Sequence, residues 1–151
     1  MKKSGFTLIE LLIVIAIIVL LAIFSVLNLS GFRVQQSLRV AASNFSTFLR
    51  DAQQKSISQE DGLQWGVRLA KPGSGRDYYY LFNGPSFTSA IVTVALPSGL
   101  EFDPASGPFP KDLIFAKATG LPISAATITI RLVNNPSSNA IITINAQGSI
   151  R

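Results

Sequence analysis

Three patterns of apolar positions follow one another along the chain. From Leu11 through Phe32 no residue is charged, and Leu11 to Phe24 is continuously apolar, which predicts a helix apolar on every side. Its twenty-two residues, at about 1.5 Å each, reach about 33 Å, enough to cross a hydrocarbon layer of about 30 Å. Beyond Phe32 the pattern turns amphipathic: Val34, Leu38, Ala41, Phe45, Phe48 and Ala52 recur at spacings of 4, 3, 4, 3 and 4, with Gln35, Gln36, Arg39, Ser43, Asn44, Arg50 and Asp51 between them. No proline occurs before Pro72, so one helix over residues 6–58, roughly 80 Å long, is expected, its outer half packed on a globular head. A coiled-coil seam is the alternative for this stripe, but two alanines and a phenylalanine suit one wall of a small core better.

The third pattern starts at Gly62, because all eight prolines and nine of the eleven glycines lie from there onward. Alternation predicts a strand over 63–69 and another over Tyr78 to Phe82, separated by the turn Lys71-Pro-Gly-Ser-Gly75. Ser86 to Leu96 reads as a third strand. Between Pro97 and Pro122, Leu100 to Phe102 and Leu113 to Ala116 read as short strands in a long irregular connection. The end reads as a hairpin, Thr127 to Val133 and Ala140 to Ala146 around a loop over Asn134 to Asn139, with a last turn at Gln147-Gly148. The expected fold class is α+β: a long N-terminal helix, half transmembrane and half amphipathic, packed against an antiparallel β-sheet head. A head of about ninety residues is small for an independent core, so the helix must supply one wall. No internal repeat is present.

Composition narrows the chemistry. With 48% hydrophobic and 14% charged residues the chain is too apolar for intrinsic disorder. It has no histidine and no cysteine, which removes the usual zinc ligands, the histidine base of hydrolytic triads, thiol nucleophiles and disulfides. The formal charge of +5 includes Lys2 and Lys3, and the +3 left without them is weak evidence for nucleic acid. Those two lysines predict that the N-terminus stays in the cytoplasm and the head is translocated. A cleaved secretory signal is the alternative, but Ser25 to Ser30 offers no small-x-small site, and Glu10 interrupts the apolar start. A carboxylate in a membrane span costs up to about 2.5–3.5 kcal/mol at mid-membrane and asks for a functional reason. Snorkelling to lipid head groups is the plain alternative for Glu10.

Gly5-Phe6-Thr7-Leu8-Ile9-Glu10, after the basic leader Met1-Lys-Lys-Ser4 and running into the apolar helix, resembles the prepilin signal of type IV pilins and type II secretion pseudopilins. The resemblance implies a leader of residues 1–5, a helix of 6–58 (6–32 transmembrane, 33–58 amphipathic) and a head of 59–151. It also implies cleavage between Gly5 and Phe6 by a prepilin peptidase, N-methylation of Phe6, and pairing of Glu10 with the Phe6 amine of a neighbouring subunit. The implied partners are other pilin or pseudopilin subunits, the peptidase, an inner-membrane platform protein, an assembly ATPase and the lipid bilayer. The implied location is the inner membrane, single-pass, followed by an extracytoplasmic filament. The segments Leu96-Pro-Ser-Gly-Leu-Glu-Phe102, Leu113-Ile-Phe-Ala-Lys-Ala-Thr-Gly120 and Ile142-Thr-Ile-Asn-Ala-Gln-Gly-Ser-Ile-Arg151 are similar to H-class minor pseudopilins and related minor pilins. Leu27 stands where many major pilins have a helix-kinking proline, and the head disulfide of many major pilins is not available here; both weaken the resemblance to major pilins without excluding it. Glu10 argues against the tip pseudopilin.

Other chemistry is thin. Glu101, Asp103 and Asp112 form a loose acidic cluster, a candidate for calcium or for paired carboxylates, although their spacing fits no EF-hand loop. For DNA, as on a DNA-uptake filament, the candidates are Arg131, Arg151, Lys111 and Lys117, with Tyr78, Tyr79 and Tyr80 as stacking groups. Against this, alternate tyrosines are expected to pack on the helix. Gly120 and Gly148 lack the context of a phosphate loop and read as turn residues. The expected protein is a structural subunit without a cofactor and without enzymatic activity; a membrane-anchored β domain is the remaining alternative.

Overall fold

The computed structural model describes residues 7–151, except the side chains of residues 23–31. The chain divides into two units, residues 1–36 and 37–151. One helix, α1 (Leu8–Ile57), contributes to both. It starts at Thr7, whose Oγ1 accepts the Glu10 amide at 3.3 Å and whose carbonyl accepts the Leu11 amide at 3.2 Å. It ends where Gln59 turns to a φ of 54°, a left-handed conformation that no helix can continue.

In the first unit every large apolar side chain from Leu8 to Leu21 is exposed, Val14 least at 43%. In the second, Leu38, Ala41, Phe45, Leu49, Ala52 and Ser56 are buried. This corrects the expected stripe at two positions. Val34 is exposed, and Phe48 only flanks the core while Leu49 enters it, because the spacing over 45, 49, 52 and 56 is 4, 3 and 4.

Seven strands follow: β1 (Trp65–Ala70), β2 (Tyr78–Asn83), β3 (Val92–Ala95), β4 (Leu100–Phe102), β5 (Lys111–Phe115), β6 (Ala126–Leu132) and β7 (Asn135–Ile144). They form two antiparallel sheets rather than the one expected, in the orders β3-β2-β1-β5 and β4-β6-β7. The dense prolines and glycines after β3 are what let the chain leave the first sheet for β4, return for β5, and leave again for β6. Alternation in each strand sends one face inward, Trp65, Val67, Leu69, Tyr79, Leu81, Leu113 and Phe115 from the first sheet. From the second come Leu100, Phe102, Ile128, Ile130, Ile142 and Ile144, and both sets close on the buried stripe of α1 in one core.

Two strands differ from expectation in extent. The third begins only at Val92, because Phe87 is used elsewhere: its ring packs edge-on to Phe82 at 5.5 Å on the outer face of the first sheet. The last hairpin turns at Val133-Asn134, and residues 135–139 belong to β7 instead of a loop. Pro136 is tolerated there because β7 is an edge strand and a proline at the edge removes no ladder bond; a bulge between Arg131 and Leu132 absorbs the extra residues.

Candidate functional site

Lys2, Lys3, Gly5 and Phe6 lie outside the described residues; the site begins with Thr7 and Glu10. Thr7-Leu-Ile-Glu10 is a helix-capping sequence, a hydroxyl at the cap and an acid three residues on, and the Thr7 hydroxyl takes the Glu10 amide as that pattern requires. The capping role of Thr7 was legible in this spacing, although only Glu10 stands out as a candidate from charge alone. Glu10 sits in the first turn, where the helix dipole favours an acid by about 0.3–1 kcal/mol. It is exposed among Leu8, Ile9 and Leu11, and among the described residues none forms an ion pair with it. Such a carboxylate is stable in water or head groups, but in an apolar bundle it requires a cation.

Glu101, Asp103 and Asp112, the three acids weighed as a cluster, do not come together as a set. Asp112 lies on β5 and accepts two bonds from Arg68 of β1, at 2.6 and 2.7 Å. Glu101 lies on β4 between Lys71, which donates to its Oε2, and Arg131, whose Nε donates to Oε1 at 2.8 Å. Asp103 accepts from Arg131 Nη1 at 3.1 Å and caps the turn at Ala105. Lys71 and then Arg131 hold the Glu101 carboxyl below its ordinary range. Among the described residues no three acids gather as a metal site would need.

The cations weighed for DNA are placed as follows. Arg131 is held by Glu101 and Asp103, Lys111 Nζ donates to the Ser106 carbonyl at 2.6 Å, and Lys117 Nζ donates to the Gly62 carbonyl at 2.7 Å. Arg151 pairs with Thr143 of β7 through its backbone. Of the tyrosines, Tyr79 faces α1 and meets Phe45 and Phe48 edge-on at 5.2 and 4.8 Å, while the rings of Tyr78 and Tyr80 stack at 6.2 Å on the opposite face.

Polar side chains that charge and spacing do not single out bind the helix to the sheets. Ser56 Oγ accepts the Trp65 amide at 2.8 Å and lies 3.1 Å from the Phe115 carbonyl, tying α1 to β1 and β5. Gln53 Nε2 donates to the carbonyls of Gly120 and Gly148, both turn residues with positive φ as expected. The Asp77 side chain is 7% exposed, and its Oδ2 accepts the Phe102 amide at 2.7 Å, joining the residue before β2 of one sheet to β4 of the other.

Comparison with known proteins gives one sequence match and a structural likeness. Residues 1–26 match the family described as the Prokaryotic N-terminal methylation motif. No curated protein matches the chain. The fold is similar to a crystal structure of the Pseudomonas aeruginosa (strain PAO1) type IV minor pilin FimU: TM-score 0.59 and 16% identity over 80% of this chain and 90% of that one. A second crystal form of FimU gives 0.55 and 17% over 76% and 90%. The minor pseudopilin EpsH from the Type 2 Secretion System of Vibrio cholerae gives 0.54 and 18% over 76% and 94%. The chain thus opens with the prokaryotic N-terminal methylation motif and carries the α+β fold, a helix on antiparallel sheets, of this minor pilin and this minor pseudopilin.

Proposed function

We propose that the chain is a structural subunit, of the minor kind, of a type IV pilus or a type II secretion pseudopilus, and not an enzyme. One observation carries this reading: a methylation motif over residues 1–26 runs into a helix whose large apolar side chains from Leu8 to Leu21 are all exposed. Such a surface is stable against lipid or against other apolar helices, and a filament subunit meets both in turn. The fold shared with FimU and EpsH supports the minor-subunit reading.

In this account residues 1–5 are a leader, residues 6–58 the helix and residues 59–151 the head. Lys2 and Lys3 keep the leader in the cytoplasm while the head lies outside. The span Leu11–Phe32 stores the subunit in the inner membrane; it includes residues whose side chains are not described, and among the described residues no helix is long and apolar enough to cross a membrane. A prepilin peptidase cleaves between Gly5 and Phe6, and the new Phe6 amine is methylated and remains a cation. A platform protein and an assembly ATPase then move the subunit into the filament. There Glu10 meets the Phe6 ammonium of a neighbour, a pair worth on the order of 4 kcal/mol at 4 Å and an effective dielectric constant of about 20. That pair fixes the axial stagger between subunits.

The test is Glu10→Ala in cells. The variant is expected to be processed and held in the membrane yet to be absent from sheared filaments. Incorporation at the wild-type level would contradict the assembly role and favour a plain anchor.

A further inference from the structure

Asp77 has a second carboxylate oxygen that the fold does not use. Oδ2 takes the Phe102 amide at 2.7 Å and Lys71 Nζ at 3.4 Å, whereas Oδ1 has no hydrogen-bond partner among the described residues. That oxygen is not sealed off, because among the described residues no buried side-chain oxygen is left unpaired. Asp77 lines a cleft of about 310 Å³ together with Lys71, Arg76, Ser98, Glu101 and Val133. The cleft lies between the β1–β2 connection and the β3–β4 turn, and Gly73, Gly75 and Gly99, which also line it, have open space where a side chain would stand. Oδ2 serves both structural tasks of this carboxylate, the Phe102 amide that joins the sheets and the ion pair with Lys71. Oδ1 is left to accept from a ligand in the cleft, as one of the few placed polar groups that such a pocket uses.

We propose that this cleft binds a neutral, hydroxyl-rich ligand, one sugar residue, with Asp77 Oδ1 accepting from a ligand hydroxyl and Arg76 donating to a ligand oxygen. Charge selects this class. Lys71 and Arg76 balance Asp77 and Glu101, so the lining has no net charge. A cationic ligand would face Lys71 Nζ, already 3.4 Å from the same carboxylate, and an anionic one would face Asp77 and Glu101. A polyol satisfies acceptor and donor together without burying a new charge. The volume is at the lower end of the range of about 300–1,000 Å³ for ligand pockets, which suits a single ring. Arg76 is exposed and makes no hydrogen bond or ion pair among the described residues, so its guanidinium is free to close on a ligand. This site is separate from the helix that carries the assembly reading, and it stands or falls without it.

The experiment uses the full chain, ¹⁵N-labelled, in an amine-oxide detergent that carries no sugar. It is titrated with neutral monosaccharides, their methyl glycosides and short neutral oligosaccharides at millimolar concentration, with the amides of Gly75, Arg76 and Gly99 as reporters. At least one saccharide is expected to shift these amides: free monosaccharides alone would identify a soluble sugar, glycosides and oligosaccharides as well would identify a glycan end. Arg76→Ala, at an exposed position, should weaken binding about tenfold or more, the loss expected for a charge-assisted hydrogen bond. Ser98→Trp fills the cleft and should abolish the shifts, and Asp77→Asn, which keeps an acceptor for Phe102 but loses the charged one, should weaken binding. No shift with any neutral saccharide, shifts with charged saccharides only, or shifts unchanged in Arg76→Ala and Ser98→Trp would overturn the proposal.

Discussion

Gly120 and Gly148 offer their carbonyl oxygens to the same donor: Gln53 Nε2 of α1 lies 2.9 Å from each. One helix side chain thus secures both the turn after β5 and the turn before the C-terminus. Arg50 extends the seam by donating from Nη2 to the Ile150 carbonyl at 2.9 Å. Gln53→Ala should cost about 1–3 kcal/mol by leaving two part-buried carbonyls without their donor, and Gln53→Glu more, because both its oxygens are acceptors. Urea denaturation of the full chain in micelles, followed through the single tryptophan, Trp65, measures this; an unchanged midpoint for Gln53→Ala would contradict it.

Gly120 is constrained by contact as well as by conformation. Its φ is 64°, and a Cβ there would stand 2.5 Å from Ile57 Cγ1. Gly73 has a similar φ of 69° but open space around it. Gly73→Ala is therefore expected to cost only the backbone term, about 1–2 kcal/mol, and Gly120→Ala measurably more. Equal losses in the same denaturation assay would show that the approach of the helix does not require the glycine.

Ser56 is the polar end of the buried stripe. Ser56→Ala leaves the Trp65 amide and the Phe115 carbonyl buried without it and should lower stability by about 1–3 kcal/mol. The same loss should speed hydrogen exchange at the Trp65 amide above that of other β1 amides. Exchange as slow as in the wild type would contradict the assignment.

The pH dependence has a defined sign. Lys71 and Arg131 lower the Glu101 pKa in the folded state, so this carboxylate contributes stability that is complete above its unfolded pKa, about 4.3. That contribution is lost as pH falls through the depressed folded value. The denaturation midpoint should therefore be flat in this respect from pH 7 to about 5 and fall below about 4. Glu101→Gln should be less stable than wild type at neutral pH and show a shallower acid decline. An identical decline in the two proteins would remove Glu101 as a source.

Much of the fold was readable because apolar periodicity is a local signal. The β4 residues 100–102, the inward alternation from Trp65 to Leu69 and most of the helix stripe follow from it. Phe48 and Leu49 are both apolar, and only the packing of the sheets decides that Leu49 is covered. Ser56, Gln53 and Asp77 were not legible, since their partners are backbone groups far along the chain, set by the topology and not by the neighbouring residues. The two-sheet arrangement was hidden for the same reason. Strand pairing between residues as far apart as Arg68 and Asp112, 44 positions along the chain, leaves no local trace. The acids 101, 103 and 112, near one another in sequence, are divided by the topology: Glu101 and Asp103 share Arg131, and Asp112 pairs with Arg68 in the other sheet.

The central claim is that this chain is processed and incorporated into a filament, and quantitative mass spectrometry of filaments sheared from cells tests it most directly. The account predicts a chain that begins with N-methylated Phe6, present at a small fraction of the principal subunit. An intact Met1 start confined to the membrane fraction, with no copy in the sheared material, would contradict it.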